Sequence, residues 1–238
     1  VTTVWAEPLS GRIILAGSST IQPVAEAFGY AFEDQHTNVR IDIHGGGSPV
    51  GVTAPQNGLA DIGMVSRPLR RKETQRLEST TFALDGIALI AHATNPVANV
   101  STPQVVALFT GTTTNREVVG GNNAQPVIVN KEERRGTRTL FEQYFDIAER
   151  FSPHALVIGP NGQAILTVAG NPQAVAHVSI GAAEVAIQQG VPVKILALDG
   201  IQATQANVQD GSCGLRRPLN FVTPSALRSV AKAFLDFV

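Results

Sequence analysis

The chain has 238 residues, 43% of them hydrophobic and 16% charged, with a formal net charge of −1 at pH 7. This composition is typical of a globular protein with one large or two smaller cores, and it excludes a disordered chain. The lack of a basic excess argues against a nucleic-acid-binding protein. No apolar run approaches the ~20 residues that a transmembrane helix needs.

The cysteine and histidine content limits the chemistry further. Cys213 is the single cysteine, which excludes an intrachain disulfide and argues against a cysteine metal cluster. The five histidines lack metal-ligand spacing, so we predict no metal site and no cofactor. Because the chain begins at Val1 without a methionine, we expect a processed or engineered fragment from which any signal peptide has been removed.

Short apolar runs alternate with segments of helical periodicity, which predicts an α/β protein. In chain order, the first predicted elements are strand 13–16, helix 20–35, strand 39–44, helix 49–57, strand 61–65 and helix 73–77. The pattern continues with strand 86–93, helix 102–109, loop 111–123, strand 127–129 and helix 137–149. It ends with helix 184–189, strands 193–198 and 219–222, and helix 224–237. The segments 163–168 and 174–177 fit either a helix or a strand.

Three of the predicted helices begin with glycine and hydroxyl residues soon after a strand. These starts are Gly17-Ser18-Ser19-Thr20, Gly45-Gly46-Gly47-Ser48 and Arg135-Gly136-Thr137-Arg138. A helix N-terminus carries unpaired N–H groups and a partial positive charge, so three of them directed at one point would bind a small oxyanion. Taken singly, each start also fits a plain N-cap, as with Ser48 before Pro49.

The apolar strand 86–93 is interpreted as a crossing point between two lobes. The chain is expected to return to the first lobe between Leu196 and Val222, which predicts two crossovers and a cleft between the lobes. The predicted first lobe comprises residues 1–86 and 197–238, and the predicted second lobe comprises residues 87–196.

The order of these motifs resembles that of the phosphate-binding proteins of bacterial phosphate ABC transporters. The matching segments are 16–23, 45–48, 60–69, 131–141, 176–181, 217–219 and 233–237. Each motif alone is weak, but together they cover nearly the whole chain in the family's order. The resemblance implies a periplasmic-binding-protein type II fold, in which two lobes and two crossover strands enclose a central cleft.

The resemblance also implies which residues contact the anion. From the first lobe these are Ser19, Thr20, the backbone of Ile21, Ser48 and Ser66, and from the second they are Arg135, Gly136, Thr137 and Arg138. Two positions depart from the family pattern. Ser66 stands where many members have an aspartate, so the site loses a built-in way of rejecting fully deprotonated sulfate. Arg134-Arg135 replaces the usual Gly-Ser, and Lys131 replaces the upstream arginine.

The function implied by the resemblance is that of an extracytoplasmic solute-binding protein. It would bind inorganic phosphate, or a similar small oxyanion, and deliver it to an ABC transporter permease. We expect no enzymatic activity and no nucleic-acid partner. The expected location is periplasmic or extracellular, and the membrane is reached only through a removed signal or a lipid anchor.

Two alternatives remain open at this point. The first keeps the fold but makes the chain a non-transport oxyanion sensor or adhesion module, or a binder of another oxyanion such as sulfate, and Arg135 motivates it. The second is an esterase, because the segment 44–47 (His-Gly-Gly-Gly) mimics an oxyanion-hole motif. An esterase of this kind needs a Gly-x-Ser-x-Gly elbow, and the segment 210–214 lacks its first glycine.

Overall fold

The computed structural model describes residues 8–148 and 150–238. The described helices are α1 (Gln22–Gln35), α2 (Ser48–Gln56), α3 (Thr102–Thr110), α4 (Gly136–Phe145), α5 (Asn161–Ala169), α6 (Ile180–Gln188), α7 (Gln205–Asp210) and α8 (Ser229–Phe237). The described strands are β1 (Gly11–Gly17), β2 (Val39–Gly45), β3 (Ile62–Val65), β4 (Glu78–His92), β5 (Asn99–Val100), β6 (Val127–Lys131), β7 (Leu156–Ile158), β8 (Ala174–Ser179), β9 (Val193–Leu198) and β10 (Arg216–Thr223). The α/β class predicted from the sequence is confirmed.

The chain divides into two compact units. Unit 1 comprises the residues up to Phe82 together with Leu219–Val238, and unit 2 comprises Ala83–Pro218. The chain enters unit 2 within β4 and leaves it within β10, so it crosses twice, as expected. The return lies at Leu219 instead of the predicted residue 197, because β9 pairs with β4 and β5 and stays in unit 2. Residues 1–7 of the predicted first lobe lie outside the described residues.

The sheet of unit 1 brings the ends of three strands to one edge. β1 pairs in parallel with β2 and with β3, and β3 pairs antiparallel with β10. Gly17, the last residue of β1, is paired with Gly45 at the end of β2 and with Met64 in β3. The carboxyl edge of parallel strands is where ligands bind in open α/β sheets, and it is here that α1 and α2 begin.

The core of unit 1 is closed by helices packed on this sheet. Ala25, Gly29 and Phe32 recur at helical spacing on the buried face of α1. The Phe32 ring meets the rings of Phe234 and Phe237 from α8, with centroids 5.4 Å and 5.3 Å away. Edge-to-face contacts of this kind add to the burial energy of the rings, so α1 and α8 stabilise each other.

Unit 2 is built on a mixed sheet with the strand order β4-β8-β6-β7, to which β9 adds beside β4 and β5 beside β9. β8 runs antiparallel to β4 and parallel to β6. In the core, the ring of Phe141 from α4 lies 4.7 Å from the rings of both Phe109 and Phe145. This buried aromatic face anchors α4 and thereby fixes where its N-terminus lies after β6.

The helix predicted at 73–77 is wrong, because this segment forms a turn. The carboxylate of Glu73 accepts a 2.7 Å hydrogen bond from the backbone N–H of Arg70. It also accepts two hydrogen bonds from the guanidinium of Arg67, at 2.8 Å and 2.9 Å. The segment is followed at once by β4, which begins at Glu78, so the turn has no room to extend into a helix.

Other boundaries also differ from the sequence prediction. The helix predicted at 137–149 ends at Phe145, where Asp146 takes a left-handed conformation, and residue 149 lies outside the described residues. The helix predicted at 224–237 begins at Ser229. The two ambiguous segments are the helix α5 and the strand β8. The elements that were not predicted are β5, β7, α7 and a 3₁₀ helix at Arg116–Val119.

Candidate functional site

Three buried serine hydroxyls meet at the carboxyl edge of the unit 1 sheet. Ser18 follows β1, Ser48 begins α2 and Ser66 follows β3. The Ser18 Oγ donates to the Ser66 Oγ at 2.8 Å, and the Ser48 Oγ lies 3.4 Å from the same atom. The Ser48 Oγ also accepts a 3.2 Å hydrogen bond from the Ser66 N–H. We name these three residues the serine cluster; each is at most 3% exposed.

The serine cluster contains two of the predicted residues, Ser48 and Ser66, and one that was not predicted, Ser18. Ser18 directly follows a predicted parallel strand, and this position could have identified it from the sequence as a candidate site residue. Thr20 is half-buried in the following turn, and its N–H donates to the Ser18 Oγ at 3.2 Å. Ser19 is half-buried beside it, and the N–H of Ile21 donates to the Ser18 carbonyl at 3.1 Å.

Close backbone packing explains how α2 reaches the serine cluster. A Cβ placed on Gly51 of α2 would lie 2.2 Å from the carbonyl oxygen of Met64, which is closer than real atoms approach. Gly17 has a φ of 137°, which favours glycine, and a Cβ there would lie 2.7 Å from the Cα of Gly51. These glycines let α2 lie directly against β1 and β3, and Ser48 is thereby held within hydrogen-bonding distance of Ser66.

The prediction that Ser48 caps α2 is wrong. The N-cap residue is Gly47, with a φ of 88°, and α2 has no side-chain cap. Ser48 is the first helical residue, and its hydroxyl belongs to the serine cluster. By contrast, α3 begins with a complete capping box of Ser101 and Gln104. Because α1, α5, α6 and α8 also lack a side-chain cap, the serine cluster, and not the missing cap, distinguishes the start of α2.

The turn that carries Ser66 is held by its neighbour Arg67. The Arg67 guanidinium forms two hydrogen bonds with the Glu73 carboxylate, and the Arg67 carbonyl accepts a 2.8 Å hydrogen bond from the side-chain amide of Asn220. Burial raises the pKa of Glu73, but the hydrogen bonds from Arg67 and from the Arg70 N–H outweigh it, and the pKa lies below its usual value. The carboxylate is therefore ionised at neutral pH and keeps the turn in place.

In unit 2, buried polar side chains meet at the start of α4. The Thr137 Oγ accepts a 2.9 Å hydrogen bond from the Arg217 Nη1. Arg217 is fully buried, and its Nε and Nη2 donate to the Asp85 Oδ2 at 3.0 Å and 2.8 Å. The second Asp85 oxygen accepts a 2.8 Å hydrogen bond from the Ser179 Oγ. Because the Thr137 oxygen accepts from Arg217, the hydroxyl hydrogen of Thr137 points in a different direction.

The other predicted residues of unit 2 also lie at the start of α4. Gly136 is its first residue and is buried, and Arg135 is the N-cap residue, with no side-chain cap bond. The Arg135 Nη2 donates to the Glu132 Oε2 at 2.9 Å. Arg138 pairs with Glu142 one turn further on. The structure thus gathers all four predicted residues at one helix end, with both arginines in ion pairs.

Sequence analysis placed neither Lys131 nor His177 in the site, yet both are buried near α4. The Lys131 Nζ has no hydrogen-bond partner among the described residues, and burial, together with Arg217 and Arg135, lowers the pKa of Lys131 to about 7. Burial, followed by the charge of Lys131, holds the pKa of His177 well below its usual value, so the imidazole is neutral. Its Nε2 lies 3.1 Å from the Asn130 Oδ1, which assigns the ring hydrogen to Nε2.

Groups for metal or covalent chemistry do not gather in the described part of the chain. No three His, Cys, Asp or Glu side chains there lie close enough to hold a metal ion. Burial raises the pKa of the Cys213 thiol, which keeps it protonated and weakly nucleophilic. His44, which motivated the esterase alternative, is exposed at the end of β2. Within the same described ranges, no helix is both long and apolar enough to span a membrane.

Comparison with known proteins decides the family. Residues 5–238 match the sequence model of the PBP superfamily domain. The chain belongs to the PBP superfamily. A Clostridium perfringens protein of this fold, assigned as a phosphate ABC transporter substrate-binding protein and solved with bound phosphate, is 33% identical to it. The two structures superpose with a TM-score of 0.89 over 95% of this chain and 92% of the other.

Two further relatives of this PBP-superfamily chain are also named for phosphate transport or phosphate binding. An ABC-type phosphate transport receptor from Vibrio cholerae is 29% identical, with a TM-score of 0.77 over 94% of this chain and 92% of that protein. The phosphate-binding protein PstS 2 of Streptococcus agalactiae is 39% identical over 110 residues. That alignment spans 46% of this chain but only 38% of the streptococcal protein. The periplasmic-binding-protein fold predicted from the sequence is confirmed by these matches.

Proposed function

We propose that this chain binds inorganic phosphate outside the cytoplasm and delivers it to an ABC transporter permease. The serine cluster is the observation that carries the proposal, because it holds three hydroxyl groups at the carboxyl edge of a parallel sheet. The relatives support it, since the structure from Clostridium perfringens holds phosphate and the other two are named for phosphate binding or transport. A periplasmic or extracellular location, with or without a lipid anchor, belongs to the same proposal.

The chemistry of the serine cluster suits a small oxyanion. α2 begins at Ser48, so the positive end of its dipole lies beside the three hydroxyls. A serine hydroxyl has one hydrogen to donate to a phosphate oxygen and lone pairs that can accept the proton of a protonated one, and the Ser18 hydrogen is directed at the Ser66 Oγ. With a net charge of −1 on the chain, attraction of the anion rests on these local groups and not on a global field.

The residues at the start of α4 form the second part of the proposal. Thr137 directs its hydroxyl hydrogen away from Arg217, and the N–H groups of Gly136 and Thr137 lie at a helix start without a side-chain cap. We propose that these groups, with Arg135 and Arg138, also hydrogen bond to phosphate. Ser19, Thr20 and the Ile21 backbone remain predicted contacts.

Ser66 favours sulfate as a second candidate ligand. A carboxylate at this position would need a ligand that brings a proton, because two bare anions repel each other. A serine hydroxyl can donate to a fully deprotonated oxyanion, so it does not impose that requirement. Sulfate is therefore the competitor against which phosphate binding should be measured.

Removing one hydroxyl from either unit is expected to weaken phosphate binding. Ser48→Ala removes a donor from the serine cluster, and Thr137→Val removes the donor at the start of α4. Each loss of a hydrogen bond to a charged ligand should cost about 1–3 kcal/mol, or roughly 5- to 150-fold in Kd. Isothermal titration calorimetry with phosphate measures both effects.

Matched variants separate binding from folding in this experiment. Ser101→Ala removes the cap of α3, so it should lower stability by about 1 kcal/mol and leave the phosphate Kd unchanged. Thr137→Ser keeps the hydroxyl that accepts from Arg217, and its Kd should remain near that of the wild type. If Ser48→Ala bound phosphate as tightly as the wild type, the serine cluster would not be part of the binding site. If Thr137→Val and Thr137→Ser had equal affinities, the start of α4 would not be part of it.

A further inference from the structure

The charges around the start of α4 do not balance. Three arginines there each pair with a carboxylate, and the exposed Arg134 lies 3.9 Å from one of these carboxylates, that of Glu132. The pairs are Arg217 with Asp85, Arg135 with Glu132 and Arg138 with Glu142. Lys131 is a further basic residue in the same place, and among the described residues it has neither a carboxylate nor another hydrogen-bond partner at its Nζ.

Lys131 is held beside α4 by its backbone, and its side chain is buried. Lys131 is 1% exposed and is the last residue of β6, and its carbonyl accepts a 3.0 Å hydrogen bond from the Arg138 Nη1. The charges that act on its ammonium are those of Arg217, which bonds to Thr137, and Arg135, the N-cap residue of α4. A buried ammonium without a partner is unstable unless it loses its proton or gains an anion.

We propose that Lys131 couples anion binding in unit 2 to the uptake of one proton. In the anion-free protein at alkaline pH, the side chain is a neutral amine. When an anion binds at the start of α4, it supplies the missing negative charge, and the amine takes a proton from solvent and becomes an ammonium that pairs with the anion. This inference rests on the proposed phosphate binding and adds to it a dependence on pH.

We attribute the pH dependence of anion binding to Lys131 and not to the ionisable groups around it. From the free protein's pKa of about 7 upward, the amine is increasingly neutral. A bound anion raises that pKa, so binding takes up protons above pH 7 and weakens as the pH rises. His177 faces Lys131 from β8, but its pKa lies well below the usual value, and it stays neutral throughout this range. The three arginines have the carboxylates of Asp85, Glu132 and Glu142 as their ion-pair partners.

Calorimetry in buffers of different ionisation enthalpy tests the proposal. At pH 8, phosphate is titrated into the wild type and into Lys131→Arg, whose guanidinium keeps its proton. The protonation of phosphate itself is common to both, so the difference in protons taken up belongs to Lys131. We expect the wild type to take up more protons, by up to one per phosphate. Between pH 7 and 9 its affinity should also fall more steeply, by up to tenfold more per pH unit.

Two further variants make the result decisive. Lys131→Met carries no ionisable group and should match the proton number of Lys131→Arg, which covers the case in which the arginine does not fold. Lys232→Met removes an exposed lysine of α8 and should match the wild type. Equal proton numbers and equal pH slopes in the wild type and the Lys131 variants would overturn the coupling while leaving phosphate binding intact. Absence of phosphate binding by the wild type would overturn both proposals.

Discussion

Replacing Asp85 with alanine is expected to lower the free energy of unfolding by about 3–5 kcal/mol, because the fully buried Arg217 then loses its counter-charge. The substitution removes the acceptor of two Arg217 hydrogen bonds and of the Ser179 hydroxyl. Arg217 also positions the Thr137 oxygen, so the start of α4 should loosen as well. Denaturant unfolding followed by circular dichroism measures the change.

Two comparison variants test whether the buried charge of Arg217 causes this loss of stability. Asp236→Ala breaks an ion pair with Lys232 in which both side chains are about two-thirds exposed, and it should cost less than about 1 kcal/mol. Replacing both buried partners, with Asp85→Leu and Arg217→Met together, removes the charge as well as its partner and should recover much of the stability. A loss below about 1 kcal/mol in Asp85→Ala would contradict the structural role given to this pair.

A second large loss is expected for Gly51→Ala in α2. The new Cβ would lie 2.2 Å from the Met64 carbonyl oxygen, which belongs to the backbone of β3 and cannot rotate away. α2 must then move off the sheet, and overpacking of this kind costs about 1–3 kcal/mol or more. Since α2 carries Ser48, phosphate affinity should fall together with stability.

The same substitution in α5 is the matched control. A Cβ on Gly162 meets nothing within 4 Å, so Gly162→Ala should be neutral or stabilise the protein by up to about 1 kcal/mol through helix propensity. Thermal unfolding of both variants compares them directly. Equal melting temperatures for Gly51→Ala and Gly162→Ala would mean that α2 does not depend on this close approach.

Much of the candidate site in unit 1 could be predicted from the sequence, because its residues lie next to the ends of predicted strands. A strand that ends in glycine and hydroxyl residues identifies the turn, and parallel pairing places such turns at one edge. The role of Ser48 was mistaken because a serine before proline fits an N-cap in sequence, whereas its hydroxyl belongs to the serine cluster. The false helix at 73–77 has a similar origin, since the partner of Glu73 is the Arg67 side chain.

The polar group in unit 2 could not be derived from sequence patterns. Arg217 and Asp85 are separated by 132 positions, and only the fold brings them together beside Thr137. The burial of Lys131 has the same cause. Periodicity predicts that the last residues of β6 form a strand, but it does not show that the lysine side chain is buried. Nor does it show that the nearby carboxylates pair with three arginines and not with this lysine.

Titration of the wild-type chain with phosphate and with sulfate at one pH tests the central claim most directly. The account predicts saturable heat with one phosphate per chain and weaker binding of sulfate. Absence of binding with millimolar phosphate would contradict it, and so would sulfate binding more tightly than phosphate.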